Sequence, residues 1–314
     1  LISIFDKELN FEFANGLANQ FVLYDDHPNN WDAWDIDIFY ENVIVEKLNG
    51  NLLNEEFQLT FTYNVGEKSS LKQAIILSPN SKRLDFHTKV DWHEKHRMLR
   101  VEFPVNIKSA YANYDIQYGF VRRNTHRNTT WDMAQFEVAA HKYADLSNED
   151  FGVALLNDCK FGYKIHENVM DLNLLRSPNN PDPDADMGEH EFTYSLFPHK
   201  GRLVESNVIK ESTLLNRPPL VLNGVEKDNK NIIKLDGGGL SLEVVKKAEK
   251  ENCHIIRVVE TLGKHSHGEL IASANSTWTE TNLMEWEDGE SLDGRTLPIS
   301  LSPFEIKTWK VNIS

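Results

Sequence analysis

The amino-acid sequence predicts an all-β fold, a large antiparallel sandwich. Apolar and polar residues alternate with the period of two that is typical of half-buried strands. This alternation recurs in residues 57–63, 99–105, 172–175, 240–244, 255–260 and 306–311. Helical periodicity is scarce, and the best candidate for a helical turn is the segment 145–150. Many strands without a βαβ rhythm favour antiparallel sheets.

Clusters of turn-forming residues separate the predicted strands. Leu-Asn-Gly-Asn at residues 48–51 and Asp-Gly-Gly-Gly at residues 236–239 are examples. Arg-Pro-Pro at residues 217–219 suggests a boundary between two parts of the chain. We therefore expect a main sandwich domain over residues 1–218 and a smaller C-terminal β module over residues 219–314.

The composition restricts the classes of partner. Among 314 residues, 33 are Lys or Arg and 48 are Asp or Glu, a formal net charge of −15. Such a field repels nucleic acids and anionic membrane surfaces, whereas a neutral carbohydrate is compatible with it. Cys159 and Cys253 are too few to form a disulfide framework, and no signal-peptide pattern is visible, so we expect a cytoplasmic protein.

Residues 124–132 combine polar and aromatic side chains as sugar-binding sites do. His126, Arg127, Trp131 and Asp132 lie within this segment. Aromatic rings stack on the C–H faces of a pyranose, and charged groups fix its hydroxyls. The alternative is a turn in which Trp131 fills the core, and the spacing alone leaves both interpretations open.

A second polar group follows an apolar strand in residues 151–163. Asn157, Asp158 and Lys160 come directly after the strand, and Tyr163 closes the segment. Polar residues at the end of a buried strand form either a turn or the floor of a cleft. The sequence does not decide between these two.

Two patterns invite a metal site, and neither completes one. Asp182, Asp184 and Asp186 have the spacing of a calcium loop, but Gly188 and Thr193 do not match the required Gly and Glu positions. The pair at residues 265 and 267 has no third His or Cys nearby to complete a zinc site. We predict no metal ligands in this chain.

The stretch 124–199 contains a long run of distinctive motifs, namely NTHRNTTWD (124–132), FEV (136–138), HKYADLS (141–147), GVALLNDCKFGY (152–163), LRSP (175–178) and HEFTYSLFPH (190–199). With these motifs, the stretch resembles the C-terminal region of cytosolic and vacuolar-type α-mannosidases of glycoside hydrolase family 38. Similar motifs lie outside it, namely WDAWD (31–35), VDWHE (90–94) and LSPFEIKT (301–308). The resemblance therefore covers nearly the whole chain.

This resemblance implies a galactose mutarotase-like supersandwich followed by a smaller C-terminal β-sandwich module. It also implies a retaining α-mannosidase whose zinc, nucleophile and acid/base carboxylate lie in an N-terminal domain outside this chain. Retaining glycosidases need two carboxyl groups roughly 5–5.5 Å apart, and we nominate no catalytic pair here. We expect this chain alone to be inactive, and its partners to be its own N-terminal catalytic domain and a mannose-containing oligosaccharide; homo-oligomerisation stays open.

By the same resemblance, loops of the β region wall one side of the catalytic cleft. The expected substrate-binding residues are, as first choice, Asn157, Asp158, Lys160, Tyr163 and Arg176, and, as second choice, His126, Arg127, Trp131 and Asp132. Their roles would be hydroxyl recognition, stacking and support. The competing interpretation is that these residues join the β region to the catalytic domain.

Two other functions stay open from the sequence. One is an independent carbohydrate-binding module. The other is a mutarotase-like sugar epimerase, which needs a His and a Glu that converge in an open cleft. His190 with Glu137 is the pair to test.

Overall fold

The computed structural model describes residues 1–55, 58–77, 80–221, 223–224 and 231–313, and these are folded mainly into antiparallel strands. The predicted all-β fold is confirmed. The strands are β1 (Phe5–Asp6), β2 (Phe11–Glu12), β3 (Gln20–Asp25), β4 (Ile44–Lys47), β5 (Asn51–Glu55), β6 (Gln58–Val65), β7 (Ser69–Leu77), β8 (Leu84–Trp92), β9 (Arg97–Pro104), β10 (Tyr111–Ile116), β11 (Gly119–Asn124), β12 (Val138–Ala139), β13 (Tyr143–Ser147), β14 (Phe151–Asn157), β15 (Gly162–His166), β16 (Val169–Arg176), β17 (Gly188–Lys200), β18 (Ile233–Asp236), β19 (Leu240–Lys247), β20 (His254–Glu260), β21 (Ser266–Thr281), β22 (Asp288–Leu301) and β23 (Ile306–Ile313). The helices are α1 (Thr130–Met133) and α2 (Val208–Asn216), with 3₁₀ turns at Ile38–Asn42 and Leu203–Glu205.

The chain divides into two compact units. Unit 1 comprises Leu1–Asp115 and Val121–Pro219, and unit 2 comprises Ile116–Phe120 and Leu220–Ser314. In the part of the chain that the structure describes, no helix has the length and apolar character needed to cross a membrane.

Unit 1 contains two facing sheets. Sheet A has nine strands in the order β11-β10-β13-β14-β17-β8-β7-β6-β5, and sheet B has six in the order β12-β15-β16-β9-β3-β4. Their inner faces share one core, in which Phe86 and Tyr194 of sheet A join Val101, Phe103 and Leu172 of sheet B in a single buried cluster. The alternation along β8 explains why one face of sheet A lines this core. Phe86, Val90 and Trp92 are buried, whereas the residues at 87, 89 and 91 are exposed.

Unit 2 is built around a separate sheet, called sheet C here. Its strand order is β18-β21-β23-β20-β19, and β22 also pairs with β21. The core on this sheet includes Ile256, Val258, Leu270, Trp278 and Trp309. The predicted strands at residues 240–244, 255–260 and 306–311 are β19, β20 and β23.

Local predictions failed in three respects. The segment 145–150 is not helical, because residues 145–147 belong to β13 and Asp145 is buried beside His199, 2.8 Å from its Nε2. Conversely, α1 and α2 were missed, since both are short. In β6, residue 57 lies outside the described residues, and Thr60 is buried while Leu59 is exposed, the reverse of what their polarity suggests.

Candidate functional site

The loop between β3 and the first 3₁₀ turn, residues 26–37, is anchored by hydrogen bonds from the side chain of Arg176. The Nε atom of Arg176 donates to Oδ2 of Asp26 at 2.5 Å, and Nη2 donates to the carbonyl oxygens of Asp32, at 3.0 Å, and Asp35. The mostly buried guanidinium thus binds three points of one loop. Arg176, predicted as a substrate ligand, has these hydrogen-bonding groups engaged inside the protein.

Asp32 supplies a second anchor for the same loop. Its Oδ2 accepts the backbone N–H groups of Asn179 at 2.7 Å and Asn180 at 3.0 Å. Trp31 has a φ of 58°, a left-handed conformation that few non-glycine residues adopt. The indoles of Trp31 and Trp34 are nevertheless 71% and 73% exposed. A rigidly braced, strained loop that exposes two large aromatic rings is more typical of recognition than of stability.

A second segment, residues 124–137, presents another exposed indole. Thr129 caps α1, and Asp132 completes a capping box with it. Asn124 also donates to Oδ1 of Asp132 at 2.8 Å, so this carboxylate serves as a local brace. Trp131 is 83% exposed. The alternative in which Trp131 fills the core is therefore wrong.

Both segments lie over a buried network of charges on the outer face of sheet B. Arg100 is fully buried; its Nε lies 2.6 Å from Oδ1 of Asp171, and its Nη1 lies 2.8 Å from Oε1 of Glu137. Lys164 lies 3.1 Å from Oδ2 of Asp171 and 3.3 Å from Oε1 of Glu41. The network therefore joins the strands β9, β15 and β16 of sheet B to the segment 124–137 through Glu137 and to the first 3₁₀ turn through Glu41.

The outer edge of this network is a clamp between the first 3₁₀ turn, Ile38–Asn42, and the segment 124–137. Arg127 donates to both oxygens of Glu41, at 2.7 and 2.8 Å. Tyr40 donates to Oε1 of Glu137 at 2.5 Å. Bidentate arginine–carboxylate pairs are strong and orientation-specific. Arg127, predicted as a sugar ligand, thus holds the first 3₁₀ turn against the 124–137 segment.

The pKa values of the two carboxyl groups shift in opposite directions, although burial raises both. Desolvation raises the pKa of Glu137 despite the nearby Arg100. For Glu41, burial also opposes ionisation, but the hydrogen bond from Arg127 and the charge of Lys164 outweigh it, so its pKa is lowered. Glu41 is therefore a firm anion at neutral pH, and the clamp is an ion pair.

We call the combined outer layer of residues 26–37 and 124–137 the tryptophan surface. Its parts are contiguous, because Ile36 and Phe136 both pack against the cluster of Tyr24, Tyr40 and Met98. Further exposed apolar side chains follow residue 37 along the chain, at Phe39, Val43, Ile44 and Val45. His126 lies at this surface too, with its Nδ1 3.5 Å from Oδ2 of Asp132.

The structure places the strand-end group elsewhere. Asn157 and Tyr163 are buried, and Nδ2 of Asn157 donates to the Tyr163 hydroxyl at 2.5 Å. Oδ2 of Asp158 accepts the backbone N–H of Thr193 at 2.9 Å, and the ammonium of Lys160 lies 4.3 Å from the centroid of the Phe192 ring. Burial lowers the pKa of Lys160. These contacts describe a closed turn, and a substrate role for these residues stays a prediction.

The epimerase pair does not converge. His190 lies on β17 of sheet A, where its Nε2 contacts the carbonyl oxygen of Asp186 at 2.7 Å. Glu137 directly precedes β12 of sheet B and is engaged by Tyr40 and Arg100. Among the described residues, no group of three or more His, Cys, Asp or Glu side chains could hold a metal ion.

Comparison with known proteins identifies the family. The sequence model described as "Glycosyl hydrolases family 38 C-terminal domain" matches residues 1–184, and "Glycosyl hydrolases family 38 C-terminal beta sandwich domain" matches residues 239–309. The chain belongs to glycoside hydrolase family 38. The predicted family is confirmed, and with it the C-terminal position of this chain within the family's architecture.

Several curated relatives are named α-mannosidases. The chain is 39% identical to "Alpha-mannosidase 2C1" of Mus musculus over 93% of its length, and 38% identical to "Alpha-mannosidase G" of Dictyostelium discoideum over 98%. It spans 30% of the length of each of these two relatives. The match thus covers less than a third of these much longer relatives.

Solved structures of family 38 share the fold. An α-mannosidase from Enterococcus faecalis V583 superposes with a TM-score of 0.76, over 98% of this chain and 40% of that one, at 16% identity. At this identity the likeness shows the fold alone. Sequence reasoning missed Trp31 and Trp34 as site residues, although the WDAWD motif that contains them is part of the family resemblance.

Proposed function

We propose that this chain is the non-catalytic β region of a cytoplasmic, retaining α-mannosidase that hydrolyses terminal α-mannosides. The names of its relatives and the match to the two C-terminal family models support the proposal. The nucleophile, the acid/base carboxylate and a catalytic zinc would belong to the remainder of the enzyme. The role left for this chain is to support that catalytic part and border its cleft.

The tryptophan surface is the face that performs this role. Its three exposed indoles carry the proposal, because exposed tryptophans on ordered segments are the side chains that contribute most to protein interfaces. Arg127, Arg176 and Asp132 are committed to internal partners, so they position the surface rather than bind hydroxyl groups. The indoles are the groups left to make contact with a partner.

The experiment replaces Trp31 and Trp34 together by Ala in the full-length enzyme that contains this chain. If the tryptophan surface docks the catalytic domain, kcat on an aryl α-mannoside should fall about tenfold or more, and protease cleavage between the two parts should accelerate. Truncating a central interface tryptophan typically costs about 2 kcal/mol or more, which is more than a factor of ten.

The matched control is Leu292→Ala, which removes an exposed apolar side chain from unit 2. It should leave both the activity and the cleavage pattern unchanged. A double variant with a raised KM, normal kcat and normal protease resistance would instead mean that the indoles touch substrate directly. Normal values of all three would contradict a role for this surface.

A further inference from the structure

Unit 2 carries a cleft between two loops. Residues 248–253 connect β19 to β20, and residues 282–287 connect β21 to β22. The cleft between these loops has a volume of about 340 Å³, within the range of roughly 300–1,000 Å³ typical of small-molecule sites. It belongs entirely to unit 2 and is separate from the tryptophan surface.

Ion pairs hold the two walls of the cleft together. Lys310 of β23 has a nearly buried side chain, and its Nζ lies 2.5 Å from Oε1 of Glu251 in one loop and 2.9 Å from Oδ1 of Asp288 at the end of the other. Lys246 of β19 lies 2.9 Å from Oε1 of Glu285. The cleft is therefore preformed, which lowers the entropic cost of binding a ligand there.

The loop 282–287 is an ordered turn that exposes apolar side chains. Oδ1 of Asn282 accepts the backbone N–H of Trp286 at 3.1 Å, and the carbonyl oxygen of Asn282 accepts that of Glu285 at 3.0 Å. Glu285 has a φ of 64°, in the left-handed region. This turn leaves Leu283, Met284 and Trp286 exposed, Trp286 by 63%. Strain in a turn that exposes apolar groups indicates a binding role, since neither feature adds stability.

Trp286 is held as a fixed platform at the cleft. The ammonium of Lys250 lies 4.8 Å from the centroid of its ring, a cation–π contact that orients the indole. Glu251 and Glu285 line the same cleft. An aromatic plane beside carboxylates is the combination that recognises a pyranose, because the ring stacks on C–H groups and the carboxylates accept hydroxyl hydrogens.

The charges at the cleft favour a neutral ligand. Lys246 and Lys310 each lie within ion-pair distance of two carboxylates, so their charges are already compensated. The net charge of −15 repels anions from the chain as a whole. Phosphorylated or carboxylated sugars are therefore disfavoured relative to neutral saccharides.

We infer that this cleft is an accessory site that binds a neutral pyranose oligosaccharide through Trp286. The choice of a mannose-containing ligand rests on the proposed function, whereas the saccharide class rests on the cleft itself. The site holds a glycan on unit 2 through stacking and hydroxyl contacts and performs no chemistry on it.

The test is isothermal titration of the 314-residue chain with α-linked mannotriose. We expect saturable binding to one site, weakened about tenfold or more by Trp286→Ala and several-fold by Glu251→Gln. Leu292→Ala and the Trp31→Ala/Trp34→Ala pair are the matched controls and should leave the affinity unchanged. Because the readout is binding and not turnover, it is independent of the activity test of the tryptophan surface.

Three results would overturn the inference. The first is no binding of mannotriose up to its solubility limit. The second is binding that persists at full strength in Trp286→Ala. The third is binding lost in the Trp31→Ala/Trp34→Ala pair, which would move the saccharide site to unit 1 and contradict docking as the sole role of the tryptophan surface.

Discussion

The outer faces of sheets A and B carry similar charged residues, but those on sheet A are exposed to solvent and those on sheet B are buried. On sheet A, Lys89 and Glu191 lie opposite each other on neighbouring strands, 3.1 Å apart, and both side chains are about 70% exposed. On sheet B, Arg100 and Asp171 are covered by residues 26–43 and 124–137, and they are shielded from water together with Glu137 of the covering segment. The two faces carry the same types of charged residue, but only those on sheet B are covered by other segments of the chain.

That difference decides what the charges contribute. An exposed pair gains little, because water and salt screen it and both side chains lose conformational freedom. A buried charge instead depends on its partners, since desolvation without compensation is expensive. The Lys89–Glu191 pair on sheet A therefore lies on a solvated surface and contributes little to stability. The network on sheet B holds in place the loops that display Trp31, Trp34 and Trp131.

The sharpest test of this comparison is Arg100→Met. It keeps most of the apolar stem but leaves Asp171 and Glu137 without their shared cation. Removing one partner from a buried ion pair costs about 3–5 kcal/mol. Urea unfolding of the chain should show a loss of this size. A loss below about 1 kcal/mol would mean that the network on sheet B behaves like a surface pair.

A smaller effect with a distinctive pH dependence is expected for Glu41→Gln. The folded-state pKa of Glu41 lies below its usual value of 4.5. Its ionised form therefore stabilises the fold above about pH 4.5, and that contribution is lost as the pH falls through the lowered value. At neutral pH the variant should be less stable by about 1.5–3 kcal/mol, the usual contribution of hydrogen bonds to charged groups.

The measurement for Glu41→Gln is the stability difference from the wild type between pH 7 and pH 3. This difference should shrink toward the acid end, as the pH falls through the lowered pKa of Glu41. Comparing variants removes the contribution of Glu137, whose raised pKa acts with the opposite sign. Glu191→Gln, on the exposed face of sheet A, serves as the control and should show little difference at either pH. A stability difference between Glu41→Gln and the wild type that is constant with pH would rule out an ion pair at Glu41.

The smallest effect is expected for Lys89→Met on sheet A. Losing its exposed pair with Glu191 should change the free energy of unfolding by about 0.2–1 kcal/mol. The change should diminish further in high salt, because screening removes most of what remains. A salt-independent loss of several kcal/mol would show that the two faces are not as different as their exposure indicates.

Sequence alone determined the fold class, the family and the positions of several strands. Period-two alternation is a local property, so residues 99–105 and 255–260 indicated β9 and β20 without knowledge of their neighbours. The long motif run in residues 124–199 was enough to indicate family 38. The module boundary at residues 217–219 stays a prediction from composition, although the compact units divide after Pro219.

Only the tertiary structure decided which polar residues are exposed. Arg100 alternates with Leu99 and Val101 as a solvent-facing residue would, yet it is fully buried because segments distant in sequence fold over that face of sheet B. Arg127 and Arg176 were predicted to bind sugar from the family resemblance, and the structure shows hydrogen bonds from both to carboxylates and carbonyls far away along the chain. Side-chain type specifies which partners a residue can accept. Which partner it meets depends on long-range contacts that no local pattern contains.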